Sequence, residues 1–394
     1  MEREKTSIVN AFPVQQLSCC RDESEYVPTG VGGEWPQEHP LPLPEWGSPR
    51  EPYKLPSVEA YEDLALTVEL TVQQLLQSNN YNTVCNFITF YRTYRRSLET
   101  NLSHFYRCYI PPITSEHHTC VGLGLELIEK LGRLEKRFPG LIDRLYIASC
   151  EELIPDVQCY IESDPDPSDS DKEHVLVAMR LDIAGRKGIL LLDPGYHVAR
   201  VVTVMEDKLY PHTGWFTQSK DENCTKEYNY VICEQNPGYV IWNIREKRGG
   251  AAEKLSQSII YVAAPFNTPV DVTERRNLTY NFRSLLSRNA KGELISGVYF
   301  PVSPDGAREF TLFYQNDDGV KKRSKIPFAS FKSPNLLLTA DQMHAIKMCN
   351  KQLGWVDGKL MAKLKMLNTI LNDKDFVSQM LNINNNINEL GQDI

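Results

Sequence analysis

The chain has 394 residues, of which 41% are hydrophobic and 24% are charged, and 51 acidic against 43 basic side chains give it a net charge of −8. This length allows one large domain or two closely packed ones. The acidic balance and the lack of a long basic stripe exclude nucleic acid as the principal ligand, and no apolar run approaches the roughly 18 residues of a membrane-spanning helix. The polar N-terminus lacks the apolar segment of a secretory signal, so we expect a cytoplasmic protein with free thiols.

Residues 1–56 are rich in proline, glycine and acidic side chains. Proline at this density is incompatible with a helix or a central strand, so the segment is predicted to be an extended arm. Its aromatic residues Trp35, Trp46 and Tyr53 are expected to pack onto the body of the protein rather than to form an interaction motif.

Residues 57–155 are predicted to form a helical subdomain. Ser57 is a candidate N-cap for a first amphipathic helix, and a second helix is predicted from about 81 to 106. A third, strongly apolar helix is predicted to begin at Cys120 and to end before Pro139.

Residues 172–335 carry the patterns of β-strands. The runs HVLVAMRL and GILLLD flank the turn DIAGRK and predict a β-hairpin, and further apolar runs predict an antiparallel sheet or barrel. Residues 336–394 return to helical spacing. The apolar face of these C-terminal helices is interpreted as packing, with a partner-helix surface as the alternative.

Three residues have the chemistry and the chain order of a nucleophilic site: Cys120, His174 and Asp193. A thiol at a helix N-terminus beside an imidazole is favoured as thiolate. His174 opens one hairpin strand and Asp193 follows the next, so we expect the carboxylate to orient the ring while the ring activates the thiol. Gly122 and Gly124 are expected to let another backbone or a substrate come close to the helix.

Other histidines are alternatives to His174. His197 and His212 are rival bases in predicted loops, and His117 and His118 precede the thiol, where they would shape its pocket. The stretch HHTC lacks third and fourth ligands at close spacing, so we expect no metal site.

The stretch EHVLVAMRLDIAGRKGILLLDPGYHVARVVTV resembles the region of arylamine N-acetyltransferases in which a His begins one strand and an Asp, followed by a Gly-aromatic turn, ends the next. NPGYVIWNI and NLTYNFRSLLSRNAKGELISGVYFPVSPDGAREFTL resemble later segments of that family, and the resemblance covers about 57–315. It implies an α+β fold with a papain-like core, made of N-terminal helices, an antiparallel sheet or barrel and C-terminal helices. It also implies that Cys120 takes the acyl group, that His174 is its base and that Asp193 is the orienting acid.

The predicted function is therefore that of a cysteine-dependent acyltransferase working through a thioester on Cys120. The resemblance suggests acyl-CoA as co-substrate, with a small-molecule acyl donor, an amine acceptor and no permanently bound cofactor. No Gln shortly precedes Cys120, so backbone amides such as that of Val121 are expected to stabilise an oxyanion. Two alternatives use the same residues or the same fold. One is a cysteine peptidase or transglutaminase-like enzyme, and the other is a catalytically inactive binding or scaffold protein that takes a protein partner through its C-terminal helices.

Overall fold

The computed structural model of the protein describes residues 35–163, 172–221, 223–305, 308–332 and 336–390. The first 34 residues of the predicted arm lie outside the described residues. The helices are α1 (Val58–Ser78), α2 (Thr83–Arg96), α3 (Leu102–Cys108), α4 (Cys120–Gly132), α5 (Val157–Ser163), α6 (Arg275–Thr279), α7 (Ala340–Gln352), α8 (Lys359–Asn372) and α9 (Lys374–Asn388).

The strands alternate with these helices near the start of the chain and then dominate its middle. They are β1 (Tyr53–Leu55), β2 (Tyr81–Asn82), β3 (Tyr146–Ile154), β4 (His174–Ile183), β5 (Arg186–Leu192), β6 (Val202–Met205), β7 (Phe216–Lys220), β8 (Cys224–Ile232), β9 (Tyr239–Arg248), β10 (Lys254–Tyr261), β11 (Phe282–Arg288), β12 (Leu294–Pro301), β13 (Glu309–Gln315) and β14 (Lys321–Pro327).

The larger sheet has nine strands, in the order β6-β5-β4-β3-β10-β9-β8-β7, and β1 pairs with β4 outside this path. Every pair is antiparallel except that of β1 with β4. The sheet curls: Lys208 beyond β6 pairs with Glu234 beyond β8 at 3.0 Å, although five strands lie between β6 and β8 within the sheet. The predicted α+β class, with an antiparallel sheet between helices, is confirmed.

A second sheet of five strands has the order β14-β13-β12-β11-β2. The short strand β2 joins it through Asn82, which pairs with Leu285 of β11 and also caps α2 by accepting hydrogen bonds from the amides of Val84 and Cys85. Thr83, the first residue of α2, adds two hydrogen bonds to the backbone of Ser284 on β11, so the start of this helix is fixed to the second sheet.

The helix that begins at Cys120 lies directly on the larger sheet. A Cβ atom at Gly124 would lie 3.0 Å from Cδ1 of Ile147 and 3.7 Å from a methyl of Val177. The glycine was predicted to let another backbone or a substrate approach the helix, but the space beside it is occupied by side chains of β3 and β4. Those strands are buried on both faces, which explains the continuous apolar run of β4.

Several elements differ from the sequence-based expectation. The second predicted helix is two helices, because α2 ends at Arg96 and Asn101 caps a separate α3. The segment predicted to be helical up to residue 155 also contains β3, which lies in the middle of the larger sheet between β4 and β10. The C-terminal part forms three helices, and their apolar residues pack into the main core.

The described part of the predicted arm runs along the body of the protein. Tyr53 starts β1, and Trp46 donates from its indole nitrogen to Ser149 Oγ at 3.2 Å. Trp35 meets Tyr106 edge to face, with 6.0 Å between the ring centroids. Among the described residues, no helix combines the length and the apolar character that crossing a membrane requires.

Candidate active site

Cys120 is the first residue of α4, and the preceding Thr119 is the N-cap of this helix. The Thr119 hydroxyl oxygen accepts from the Val121 amide at 3.2 Å, and the same hydroxyl donates to the buried carboxylate of Glu274. Both Cys120 and Thr119 are buried. The amide of Val121, expected from the sequence to face an oxyanion, is therefore already used by the cap.

His174 and Asp193 meet at the open end of the β4–β5 hairpin. Nε2 of His174 lies 3.1 Å from Oδ2 of Asp193, and both side chains are buried. The imidazole and the Cys120 side chain both face Gly195, where an added Cβ atom would lie 2.8 Å from Cβ of Cys120 and 2.8 Å from Cε1 of His174. Because Nε2 faces the carboxylate, Nδ1 is the ring nitrogen left for the sulfur.

The environment of His174 favours its charged form. Burial alone would lower the pKa of this imidazole, but the charge and hydrogen bond of Asp193, together with the neighbouring Cys120, raise it well above its usual range.

The turn that follows Asp193 closes over the thiol and the imidazole. A Cβ atom at Gly195 would lie 2.8 Å from Cβ of Cys120 and 2.8 Å from Cε1 of His174, which is too close for any side chain. The amide of Tyr196 donates to Oδ1 of Asp193 at 2.9 Å. Arg288, buried on β11, donates to the carbonyl of Pro194 at 2.8 Å and so fixes the turn from the second sheet.

Aromatic rings line the other side of the imidazole. Tyr196 meets the His174 ring edge to face at 4.7 Å, and Trp242 lies 6.4 Å from it, measured between centroids. The Tyr196 hydroxyl donates to the carboxylate of Glu152 at 2.6 Å, and burial raises the pKa of Glu152.

A cavity of about 540 Å³ opens beyond these rings. Tyr196, Trp242 and Glu152 form its inner wall, while Lys226 and Arg248 are among the residues that line it farther out. The layer formed by Tyr196 and Trp242 stands between this cavity and His174.

The structure brings a further polar side chain to the sulfur. Nδ2 of Asn277, on α6, lies 4.0 Å from Sγ of Cys120. Tyr81 of β2 is also close, since burial and the neighbouring Cys120 and Glu274 raise the pKa of its hydroxyl. Sequence reasoning did not single out Asn277 or Tyr81, because neither lies in a local pattern that includes Cys120, His174 or Asp193.

The other histidines are engaged elsewhere. Nδ1 of His197 accepts from Arg288 at 3.0 Å, and Nδ1 of His212 accepts from the amide of Met205 at 3.2 Å. His118 pairs with Glu126 at 3.0 Å. Within the described ranges, no group of three or more His, Cys, Asp or Glu residues is arranged to hold a metal ion.

Comparison with known proteins gives little beyond this geometry. No family model matches the chain, and no curated protein matches it. Among solved structures, the arylamine N-acetyltransferase from Mycobacterium abscessus is similar to it with a TM-score of 0.39 and 10% sequence identity, over 79% of this chain and 89% of that one.

Proposed function

We propose that this protein is a cysteine-dependent acyltransferase with a papain-like core, and that it works through a thioester on Cys120. The observation that carries the proposal is that Cys120, at the start of a buried helix, and His174, bonded to Asp193 at 3.1 Å, meet at Gly195. This arrangement has a nucleophile, a neighbouring base and a third group that orients the base.

In the first half-reaction the sulfur of Cys120 attacks the acyl carbonyl and its proton is held by His174. The C–S bond forms, the bond to the leaving group breaks, and His174 returns the proton to the leaving group. In the second half-reaction an amine attacks the thioester. The C–N bond forms, the C–S bond breaks, and the proton of the amine passes through His174 to the sulfur.

Burial of the nucleophile favours transfer over hydrolysis. The side chain of Cys120 is only 3% exposed, and Gly195 and His174 close over it. A thioester in such a place is shielded from bulk water, so an acceptor that binds competes well against hydrolysis. An open peptidase cleft would instead leave the thiol accessible to an extended chain.

The sequence resemblance supplies the substrate classes of the proposal. We expect an acyl-CoA or a similar small acyl thioester as donor and an amine as acceptor. The C-terminal helices, whose apolar residues are packed inside, are assigned to the core in this proposal rather than to a partner.

The test is thioester formation on the intact protein. Folded wild-type protein is incubated with a panel of acyl-CoA donors, activated aryl esters and glutamine-containing peptides, and the acyl group is located by peptide mapping in a mass spectrometer. We expect one acyl group on Cys120, no acylation in Cys120→Ala or His174→Ala, and a rate about 10² to 10⁴ lower in Asp193→Asn.

Cys108→Ala serves as the matched control, since Cys108 is exposed and its loss should leave the acylation rate unchanged. Acylation from glutamine peptides alone would instead point to transglutaminase-like or peptidase chemistry. Absence of acylation by every donor would favour an inactive binding protein.

A further inference from the structure

Asn277 has an unusual position for an amide side chain. It lies on α6, directly after a π-helical turn at Val270–Glu274, and only 7% of its surface is exposed. Its backbone carbonyl accepts from Nη1 of Arg283 at 2.7 Å, which fixes this part of the helix against β11. The side-chain nitrogen Nδ2 points to Sγ of Cys120 at 4.0 Å.

This distance is informative about the role of the amide. At 4.0 Å an N–H group forms at most a weak bond to a thiol. When Cys120 carries an acyl group, the acyl oxygen lies two bonds beyond the sulfur. A donor that stands just outside contact with the sulfur is then placed to reach that oxygen, which is the atom that becomes negative in the transition state.

One other candidate donor near the sulfur is already engaged. The amide of Val121 is taken by the Thr119 hydroxyl. Asn277 differs from it because the two N–H groups of its amide have no stronger acceptor than the sulfur among the contacts of the described residues. A buried amide N–H group without a good acceptor lowers the stability of the folded protein, unless a bound group accepts a hydrogen bond from it.

We propose that Asn277 is a catalytic residue that donates a hydrogen bond to the acyl oxygen during attack on, and release of, the thioester. The proposal rests on the acyltransferase function proposed above. As the sulfur adds to the carbonyl carbon, the π electrons of C=O move onto oxygen and the Asn277 N–H group stabilises that charge. The charge returns to re-form C=O when the leaving group departs, so no proton is exchanged with Asn277.

Two reactions of the same thiol separate this role from a role in thiol activation. Acylation passes through an oxyanion, whereas alkylation by iodoacetamide displaces iodide at a saturated carbon and forms none. In Asn277→Leu and Asn277→Ala, the single-turnover acylation rate with an aryl ester should fall about 10² to 10³-fold. The alkylation rate of Cys120 should change less than about threefold, because His174 and Asp193 remain in place.

Both variants are needed. Asn277→Leu fills the space of the amide without its N–H groups, and Asn277→Ala adds no atoms that could clash with neighbouring side chains. Asn384→Ala, which removes another buried amide on α9, is the matched control and should leave both rates unchanged. His174→Ala should lose acylation and alkylation together.

Each remaining outcome overturns the proposal in a distinct way. Equal acylation by wild type and both Asn277 variants would show that the amide does not contact the oxyanion. Parallel loss of acylation and alkylation, with unchanged thermal unfolding, would make Asn277 a positioning residue for the thiol. A wild-type protein that is alkylated at Cys120 but acylated by no donor would remove the acyltransferase function, and this inference with it.

Discussion

Gly195 shows how a residue without a side chain can define a reactive site. Its Cα faces Cys120 and His174 so closely that an added Cβ atom would lie 2.8 Å from a carbon of each. The turn that contains it is held by Asp193 through the Tyr196 amide and by Arg288 through the Pro194 carbonyl. The shape around the sulfur is therefore determined by main-chain position.

We expect Gly195→Ala to retain the fold but to lose most acylation activity. The methyl group must push apart the thiol and the imidazole, and a displacement of about 1 Å in a reacting group can cost about 10²-fold in rate. The added volume should also lower the free energy of unfolding by about 1 to 3 kcal/mol. Single-turnover acylation and urea unfolding measure the two effects.

The matched control is Gly249→Ala, at the end of β9, where the nearest atom to an added Cβ is 4.0 Å away. This substitution should change neither measurement. An acylation rate in Gly195→Ala equal to that of wild type would mean that the turn moves aside freely and does not define the site.

Residues of the site differ in how far the sequence predicts them. His174 and Asp193 flank a hairpin whose turn and apolar strands are visible in the sequence, so their meeting follows from local pairing. Asn277 reaches Cys120 only through the docking of α6 against α4. Such a contact between distant segments has no periodicity or spacing that could have indicated it.

At the scale of elements, the N-terminus of α4 depends on one hydroxyl group. Thr119 accepts from the Val121 amide and donates to Glu274, which also accepts from Nδ2 of Asn86 on α2 at 2.9 Å. The start of the nucleophile helix is thereby connected to α2 and to the segment before α6.

Thr119→Ala should destabilise the protein by about 1 to 2 kcal/mol, through loss of the cap and of a donor to the Glu274 carboxylate. Thr119→Ser keeps the hydroxyl and should remain within about 0.5 kcal/mol of wild type. Urea unfolding followed by circular dichroism measures both. Equal stability of the alanine and serine variants would contradict the role of the hydroxyl.

Long periodic elements were predictable, and interrupted ones were not. The apolar spacing of α1 and the apolar runs around the β4–β5 turn predict those elements close to their observed bounds, and α4 begins at Cys120 as predicted but ends at Gly132, before the predicted end. β3 was missed because YIASCEELI mixes small, polar and charged residues, and its burial between β4 and β10 is decided by tertiary pairing. The break between α2 and α3 was also missed, although residues 97–101 contain Asn101, a residue type that favours the N-cap position it occupies at α3.

The stability of the whole molecule should depend on pH through Glu274, a buried acid whose environment disfavours its charged form. Its side chain is 0% exposed, and burial raises its pKa from 4.5 to about 7, against the opposing effect of hydrogen bonds from Thr119 and Asn86. The folded state therefore holds a proton at pH values where the unfolded chain has released it. The stability associated with this group is present at low pH and is lost as the pH rises.

The free energy of unfolding should fall as the pH is raised from about 5 to about 7 and should remain lower above this range, because the folded state binds the additional proton there. The contribution is on the order of 3 kcal/mol. Glu274→Gln, which is neutral at every pH, should be more stable than wild type at pH 8 and similar to it at pH 5. Chemical unfolding across pH 5 to 8 measures this difference.

Glu389→Gln, at an exposed position just after α9, is the control and should follow the wild-type curve. A constant difference between wild type and Glu274→Gln over the whole pH range would show that Glu274 does not titrate there.

The hydrogen bond from Arg288 to the Pro194 carbonyl has a consequence for the synthesis of the protein. A nascent chain that has emerged only as far as β7 already contains Cys120, His174 and Asp193, but it lacks Asn277 on α6 and the β11 strand whose arginine holds Pro194. The turn over the sulfur then lacks the hydrogen bond from Arg288 to the Pro194 carbonyl. If Cys120 has the proposed function, a chain that ends at β7 should carry this thiol without the Asn277 amide and without the arginine that holds the turn beside it.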